Sequence, residues 1–148
     1  MADSKRQQLI DAIDARFKTI KTTNGYETEL GNNVFAWRSS PIEAAELPCL
    51  LYRDTNETIE LTIGAHIHTL TIETEIITSG GTAIKDIRKM LADIIKCIGA
   101  DLTWGGIAED TLPVAGEDIK IEQQENIITG AKLSFAAQYV TEPFNPYQ

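Results

Sequence analysis

The sequence predicts an α+β fold, a mainly antiparallel sheet with two amphipathic helices packed on one face as a two-layer sandwich. One observation behind this prediction is a strand pattern over residues 66–77 that is followed directly by a helix pattern over 82–98. The other is that the remaining strand candidates are joined by turns rather than by helices, which favours antiparallel pairing. The length of 148 residues fits a single domain covering 1–148.

Alternating apolar and polar side chains predict that the strand over 66–77 is buried on one face only. Its apolar face carries Leu70, Ile72 and Ile76. Its polar face carries Thr69, Thr71, Glu73 and Glu75. We therefore expect the polar face of the sheet to remain open to solvent or to a neighbouring molecule.

The helix over 82–98 is predicted from apolar residues that recur every three or four positions. These residues are Ile84, Ile87, Leu91, Ile94, Ile95 and Ile98. Ser79-Gly80-Gly81 separates this helix from the preceding strand. Thr82 is placed to cap the start of the helix, and Gly99 is placed to cap its end.

The other predicted elements complete the sheet and its helical layer. A first helix over 4–21 has one apolar stripe, made of Leu9, Ile10, Ile13, Phe17 and Ile20. Further strands are predicted at about 34–38, 49–54, 58–63, 119–125 and 130–141. Thr55-Asn56-Glu57 is interpreted as a turn between two of these strands. A loop covers 100–118, and an arm broken by prolines covers 142–148.

Charge and composition exclude several classes of protein. The net charge of −9 argues against a protein that binds nucleic acid by neutralising phosphates. The sequence has neither a membrane-spanning apolar run nor a secretory signal, so we expect no membrane contact and a cytoplasmic location. Cys49 and Cys97 lie far apart and are expected to be buried, reduced thiols.

The two histidines of the chain offer one possible metal site. His66 and His68 are two positions apart on a predicted strand, so both imidazoles point to one face and their nitrogens can converge. A third ligand would have to come from a distant element. One alternative interpretation of the chain is therefore a small metal-binding protein or metal-dependent enzyme that uses His66 and His68.

Motifs for catalysis or cofactor binding are missing from the sequence. It contains no nucleophile elbow and no glycine-rich phosphate loop, and Gly80-Gly81 lacks the lysine that would follow in a phosphate-binding loop. We therefore expect a protein that is not an enzyme and that needs no cofactor.

Aromatic and arginine side chains around Trp37-Arg38, in the long loop and in the C-terminal arm suggest a protein interface. Trp and Arg are enriched among the interface residues that contribute most of the binding free energy. Trp104 lies in the long loop over 100–118. A tryptophan in such a loop either covers the core or anchors a partner, and both interpretations of Trp104 stay open. The predicted interface residues are Trp37, Arg38, Trp104, Phe144 and Tyr147.

Several segments of the chain resemble the tail terminator, or tail-completion, proteins of long-tailed bacteriophages and prophages, a class of minor tail proteins. The segments are Asn24-Gly25-Tyr26, Val34-Phe35-Ala36-Trp37-Arg38, Glu46-Leu47-Pro48, Arg53-Asp54-Thr55, the strand-to-helix unit over 66–98, and Thr103-Trp104-Gly105-Gly106. The resemblance spans nearly the whole chain and includes its size, acidity and element order. It carries no catalytic motif that could be transferred residue by residue.

The resemblance implies a structural virion subunit that assembles into a ring, commonly a hexamer. Such a ring caps the tail tube and provides the surface for head joining, so the implied partners are other copies, the tail tube protein and a head-completion or connector protein. The implied location is the cytoplasm of a bacterial host during assembly and then the virion tail. A glutamate-rich sheet face, or the loop around Glu117 and Asp118, would then repel DNA passing through the ring. A further alternative is an adaptor domain that binds another protein by its free sheet edge.

Overall fold

A six-stranded sheet and two α-helices form the described part of the chain in a computed structural model, and the predicted α+β class is confirmed. The structure describes residues 2–114, 119–124 and 128–148. The helices are α1 (Lys5–Phe17) and α2 (Ala83–Gly99). The strands are β1 (Val34–Ala36), β2 (Cys49–Thr62), β3 (Ala65–Ser79), β4 (Asp110–Pro113), β5 (Lys120–Gln124) and β6 (Ile128–Thr141). Single-turn 3-10 helices lie at Thr22–Asn24, Leu30–Asn32 and Ala44–Glu46.

The strand order is β1-β2-β3-β6-β4, and β5 also pairs with β6. Strand β1 runs parallel to β2, whereas all other pairs are antiparallel. Strands β4 and β5 share one edge of β6, because β4 pairs with residues 135–138 and β5 with residues 128–132. Long β3 and β6 therefore form the centre of the sheet.

The predicted alternation in β3 is confirmed. Every second residue from His66 to Thr78 is buried, and the residues between them are partly exposed. Both helices pack on the buried face. Helix α2 contacts β3 and β6, while Phe17 of α1 packs edge-on against Phe135 of β6. One apolar core thus joins the helical layer to the sheet.

Helix α2 buries three of the six residues of the predicted stripe, Ile87, Leu91 and Ile94, and its ends differ from the prediction. Thr82 occupies the N-cap position, yet its hydroxyl donates to the Asp86 carboxylate and caps no backbone amide. Gly99 is the last helical residue, and the C-cap is Ala100 in right-handed geometry. Ile95 of the predicted stripe is 51% exposed, whereas Met90 and Cys97, which lie outside that stripe, are buried.

Helix α1 ends four residues before the predicted position. Ser4 caps its start by accepting a hydrogen bond from the Gln7 amide, as its residue type favours. The chain leaves the helix after Phe17, and Ile20 reaches the core from the following turn. Because Ile20 is buried and has helical spacing from Phe17, the predicted helix was too long at this end.

The predicted turn at Thr55-Asn56-Glu57 is wrong. Residues 49–62 form one continuous strand, whose register with β3 shifts between Asp54 and Asn56 as in a β-bulge. The two predicted strands at 49–54 and 58–63 are therefore the two halves of β2. Polar residues such as these form both β-bulges and turns, so the local sequence does not distinguish the two. Pairing with β3 on both sides of Thr55 shows that the segment is a bulge within one strand.

Smaller differences concern the edges of the sheet. The predicted strand over 34–38 stops at Ala36, since Trp37 takes a left-handed backbone with φ 52°. The loop over 100–118 contains β4. The predicted acidic residues Glu117 and Asp118 lie outside the described residues, as does Glu125 at the end of the predicted strand over 119–125.

Candidate protein interface

The outer ends of β2 and β3 form an exposed apolar hairpin tip, defined here as residues 58–68. Thr62 pairs with Ala65 across a two-residue turn in which Gly64 has φ +76°. Ile59 lies opposite His68 and Leu61 opposite His66, so both apolar side chains share the helical face of the sheet. Ile59 is 52% exposed, Leu61 is 76% exposed and Ile63 is fully exposed. The helical layer does not cover this end of the sheet.

Polar contacts brace the base of the hairpin tip. The Tyr139 hydroxyl donates to Glu57, and the Tyr139 ring stacks on His68 with centroids 4.4 Å apart. Burial raises the pKa of Tyr139, and the nearby Glu57 carboxylate raises it further. Arg6 of α1 lies 3.6 Å from Glu57 and 2.8 Å from Asp54. These contacts connect β2, β6 and α1 just below the exposed residues.

The two histidines lie together on one face, as predicted, but with few potential metal ligands around them. Their rings are 6.3 Å apart, His68 Nε2 is 2.8 Å from the Thr141 hydroxyl, and His66 packs edge-on against Phe144. Glu57 is 3.6 Å from His68 Nδ1. Among the described residues, no group of three or more His, Cys, Asp or Glu side chains is arranged to hold a metal ion. The metal-site alternative therefore gains no support from this geometry.

The predicted interface arm over 142–148 folds back onto the chain. The Lys5 amide donates to the Pro146 carbonyl, and the Glu142 amide donates to the Gln148 carbonyl. Phe144 is 92% exposed although one edge of its ring contacts His66, and Tyr147 is also exposed. Phe144 thus extends the apolar surface of the hairpin tip. It lies in the turn that the hydrogen bond between Glu142 and Gln148 closes.

Trp37 and Arg38 have different environments although they are adjacent. Trp37 is 56% exposed, and its indole N–H donates to Asp54 at 2.6 Å, which fixes the orientation of the ring. Arg38 instead forms a bidentate pair with Glu46 and lies 4.5 Å above the Phe35 ring. The hydrogen bonds from Arg38 lower the pKa of Glu46 to about 2. Trp37 is therefore available to a partner, whereas the guanidinium of Arg38 already has partners within the chain.

Trp104 lies in the core, which corrects its prediction as an interface residue. It is 1% exposed, its ring stacks on Phe135, and its N–H donates to the Thr111 hydroxyl at 2.8 Å. The Arg16 guanidinium covers the outer side of the ring at 3.9 Å. The interpretation as a cover over the core therefore describes this residue.

The turn that holds Trp104 is organised by Asp101. Its carboxylate accepts hydrogen bonds from the Thr103 hydroxyl and from the amides of Thr103 and Gly105, which together lower its pKa to about 2. Trp104 itself has φ 52°. The segment Thr103-Trp104-Gly105-Gly106 is therefore a built turn that inserts its tryptophan into the core.

A second apolar surface lies beside the C-terminal half of α2. We call it the α2 groove, and it has a volume of about 430 Å³. Its apolar lining includes Ile95, Ile98, Leu102, Leu112, Pro113 and Phe135. Ile95, Leu102 and Leu112 each leave a third or more of their surface exposed. This groove was missed from the sequence, because Ile95 and Leu112 were attributed to a buried stripe and a loop.

The open face of the sheet carries charges of both signs. Glu73 and Glu75 line a cleft there, as the alternation predicts, and Arg53 lies 3.3 Å from Glu73. The same cleft is lined by Arg38, Lys120 and Lys132. The described part of this face is thus not the purely acidic wall suggested by the glutamates of β3.

Both cysteines are free and buried, as predicted. Burial raises the pKa of Cys49 to about 11 and also raises that of Cys97. Neither thiol therefore forms a reactive thiolate near neutral pH.

The chain matches no protein-family model, and a search of curated proteins gave no significant match. Within the described residues, no helix combines the length and the apolar character needed to cross a membrane.

Proposed function

We propose that this chain is a structural subunit of the phage tail terminator type, which assembles with copies of itself into a ring that caps the tail tube and presents the surface for head joining. The observation that carries the proposal is the exposed apolar hairpin tip together with Phe144. Clustered apolar side chains that the rest of the chain leaves in water are typical of a surface that a partner covers. The sequence resemblance to tail terminator proteins supplies the type of partner.

The rigidity of the surface supports the same function. The hairpin tip continues the two long strands of the sheet, and its base is braced by Glu57, Tyr139 and Arg6. The β3 half of the tip is paired on both sides and keeps one geometry, so little conformational entropy is lost there when copies associate. Trp37 adds an exposed, oriented aromatic ring beside the bulge in the middle of β2.

The proposal is tested by assembly on tail tubes. The chain is combined with a phage tail tube protein, and the products are examined by electron microscopy and by mass measurement in solution. We expect rings on tube ends and tubes that stop growing when the chain is added. Tubes that keep growing with bare ends, or a coding neighbourhood of metabolic enzymes only, would contradict the proposed function.

A further inference from the structure

We infer that the outer edge of β2, over residues 57–61, binds an extended segment of another polypeptide, which adds to the sheet as one more strand. Only one element is taken from the proposed function, namely that a partner covers the hairpin tip. The form of this partner follows from unpaired backbone groups along the edge, from the apolar side chains beside them and from the charge on the other face.

The edge of β2 opens where β1 leaves it. Strand β1 pairs with β2 from Leu50 to Tyr52, and the Trp37 amide then donates to the Tyr52 carbonyl at 3.0 Å. Trp37 turns away from the edge with φ 52°, and its indole N–H donates to Asp54. None of the described strands lies beside the rest of β2 on this side. The open edge therefore runs from the bulge to the hairpin turn.

The backbone groups of Glu57, Ile59 and Leu61 face this open edge. Before the bulge, the Leu50 amide and the Tyr52 carbonyl point toward β1, so the even-numbered residues face outward there. The bulge shifts the pairing with β3 by one residue, so the odd-numbered residues face outward beyond it. Each of them offers an amide donor and a carbonyl acceptor. Such a row of groups is a template for another extended backbone.

Residues 58–62 carry few of the features that usually keep a sheet edge from pairing. The stretch contains neither proline nor lysine, and the bulge lies before it. The inward-pointing Glu57 already has Tyr139 and Arg6 as partners. On the opposite edge, by contrast, β4 has four residues and ends in Pro113. Strand addition is therefore expected at β2 rather than at β4.

The side chains on the helical face define one half of the partner segment. Ile59 and Leu61 lie on this face and are 52% and 76% exposed. A strand added beside them places every second side chain on the same face, where it packs against these two residues. Apolar side chains gain most from that position, because both surfaces leave water. The partner segment therefore carries apolar residues at alternate positions.

The open face of the sheet defines the other half. Thr58, Glu60 and Thr62 are exposed there, and Glu60 forms no ion pair with another described residue. A lysine or arginine at the neighbouring position of an added strand would pair with Glu60, whereas a carboxylate there would be repelled. The expected occupant thus alternates apolar residues with polar residues that include a basic one.

Residue-resolved amide exchange of the natural chain tests the added strand. The probe is a synthetic peptide in which valine alternates with lysine and threonine, and exchange is followed by NMR. Without the peptide, we expect fast exchange at Glu57, Ile59 and Leu61 and slower exchange at Thr58 and Glu60, whose amides face β3. The peptide should slow the three fast amides selectively. No protection at millimolar peptide, or protection without this alternation, would overturn the inference.

A proline variant tests the backbone contact. Ile59→Pro removes one amide that faces the edge, and proline is accepted on an edge strand where this amide bonds to no neighbour. Ile59→Ala is the matched control, because it shortens the side chain at least as much and keeps the amide. Circular dichroism and thermal unfolding establish that both variants are folded, and the exchange pattern of the natural chain decides the question if the proline variant is not.

We expect Ile59→Pro to weaken peptide binding by about tenfold or more and Ile59→Ala to weaken it less. Equal weakening by the two variants would place the contact on the side chain alone and overturn strand addition. Glu60→Lys should reverse the preference between the lysine peptide and one with glutamate in its place. An unchanged preference would overturn the proposed chemistry of the partner.

Capping of tail tubes is measured separately from peptide binding. A chain that caps tubes but takes up no peptide would overturn the added strand and leave the proposed function standing. A chain that takes up the peptide in the alternating pattern but leaves tubes uncapped would support the added strand and contradict the proposed function.

Discussion

The two tryptophans show how the surroundings of one side chain decide its role. Both have φ 52°, and both donate their indole N–H to a side-chain oxygen. Trp104 is enclosed by Phe17, Phe135 and Arg16, whereas Trp37 meets solvent on most of its surface. The sequence around each residue carries no signal for this difference, because it depends on which distant element lies opposite.

The two residues provide a matched pair of substitutions. Trp104→Ala should lower the free energy of unfolding by about 3–5 kcal/mol, since it removes a large buried ring and leaves a cavity. Trp37→Ala should lower it by about 1 kcal/mol or less, because the ring is exposed and its loss mainly costs one hydrogen bond to Asp54. Urea denaturation measures both values. Similar losses in the two variants would contradict the different burial of the two rings.

Among the elements, the 3-10 turn at Leu30–Asn32 shows how a loop is fixed to a helix end. The Gly31 amide donates to the Ile20 carbonyl at 2.8 Å, just beyond the end of α1. A Cβ atom at Gly31 would lie 2.7 Å from the Lys18 carbonyl oxygen and 2.8 Å from that of Ile20. Only glycine therefore allows the two backbone segments to come this close.

Gly31→Ala should consequently lower the free energy of unfolding by about 1–3 kcal/mol, because backbone atoms must move apart to accept the methyl group. Gly81→Ala is the matched control, since a Cβ atom there would meet no atom within 4 Å. Its effect should be neutral or stabilising by about 1 kcal/mol or less. Thermal unfolding of the two variants measures the contrast, and an equally small effect at both positions would contradict the close approach.

The sequence predicted those elements whose pattern is local. The alternation in β3 and the apolar spacing in α2 depend on neighbouring residues, and both elements lie where they were expected. The bulge in β2 depends on pairing with β3, and the exposure of Ile59 and Leu61 depends on where the helical layer ends. These features arise from contacts between distant parts of the chain, so the candidate interface was predicted only at Trp37, Phe144 and Tyr147.

In the whole molecule, the number of paired neighbours along each strand creates a gradient of stability. Strands β3 and β6 pair along their full lengths, from His66 with Thr141 to Ser79 with Ile128. Strand β2 has β1 beside it only from Leu50 to Tyr52, so its outer edge beyond Tyr52 has no strand partner in the described chain. The centre of the sheet is thus held from both sides, whereas the β2 half of the hairpin tip is held only by β3.

Hydrogen exchange of the backbone amides should follow this gradient. We expect the slowest exchange in the middle of β3 and β6 and markedly faster exchange in residues 55–62, where amides of β2 face solvent beyond the bulge. Exchange measured by mass spectrometry on the separated chain gives the reference, and the control is Thr58→Asp, which should keep the same gradient. When copies assemble, residues 58–68 should become protected, because the proposed function has a partner cover the exposed apolar hairpin tip. Uniform protection before assembly would contradict the gradient, and unchanged fast exchange of residues 58–68 after assembly would show that no partner covers the hairpin tip.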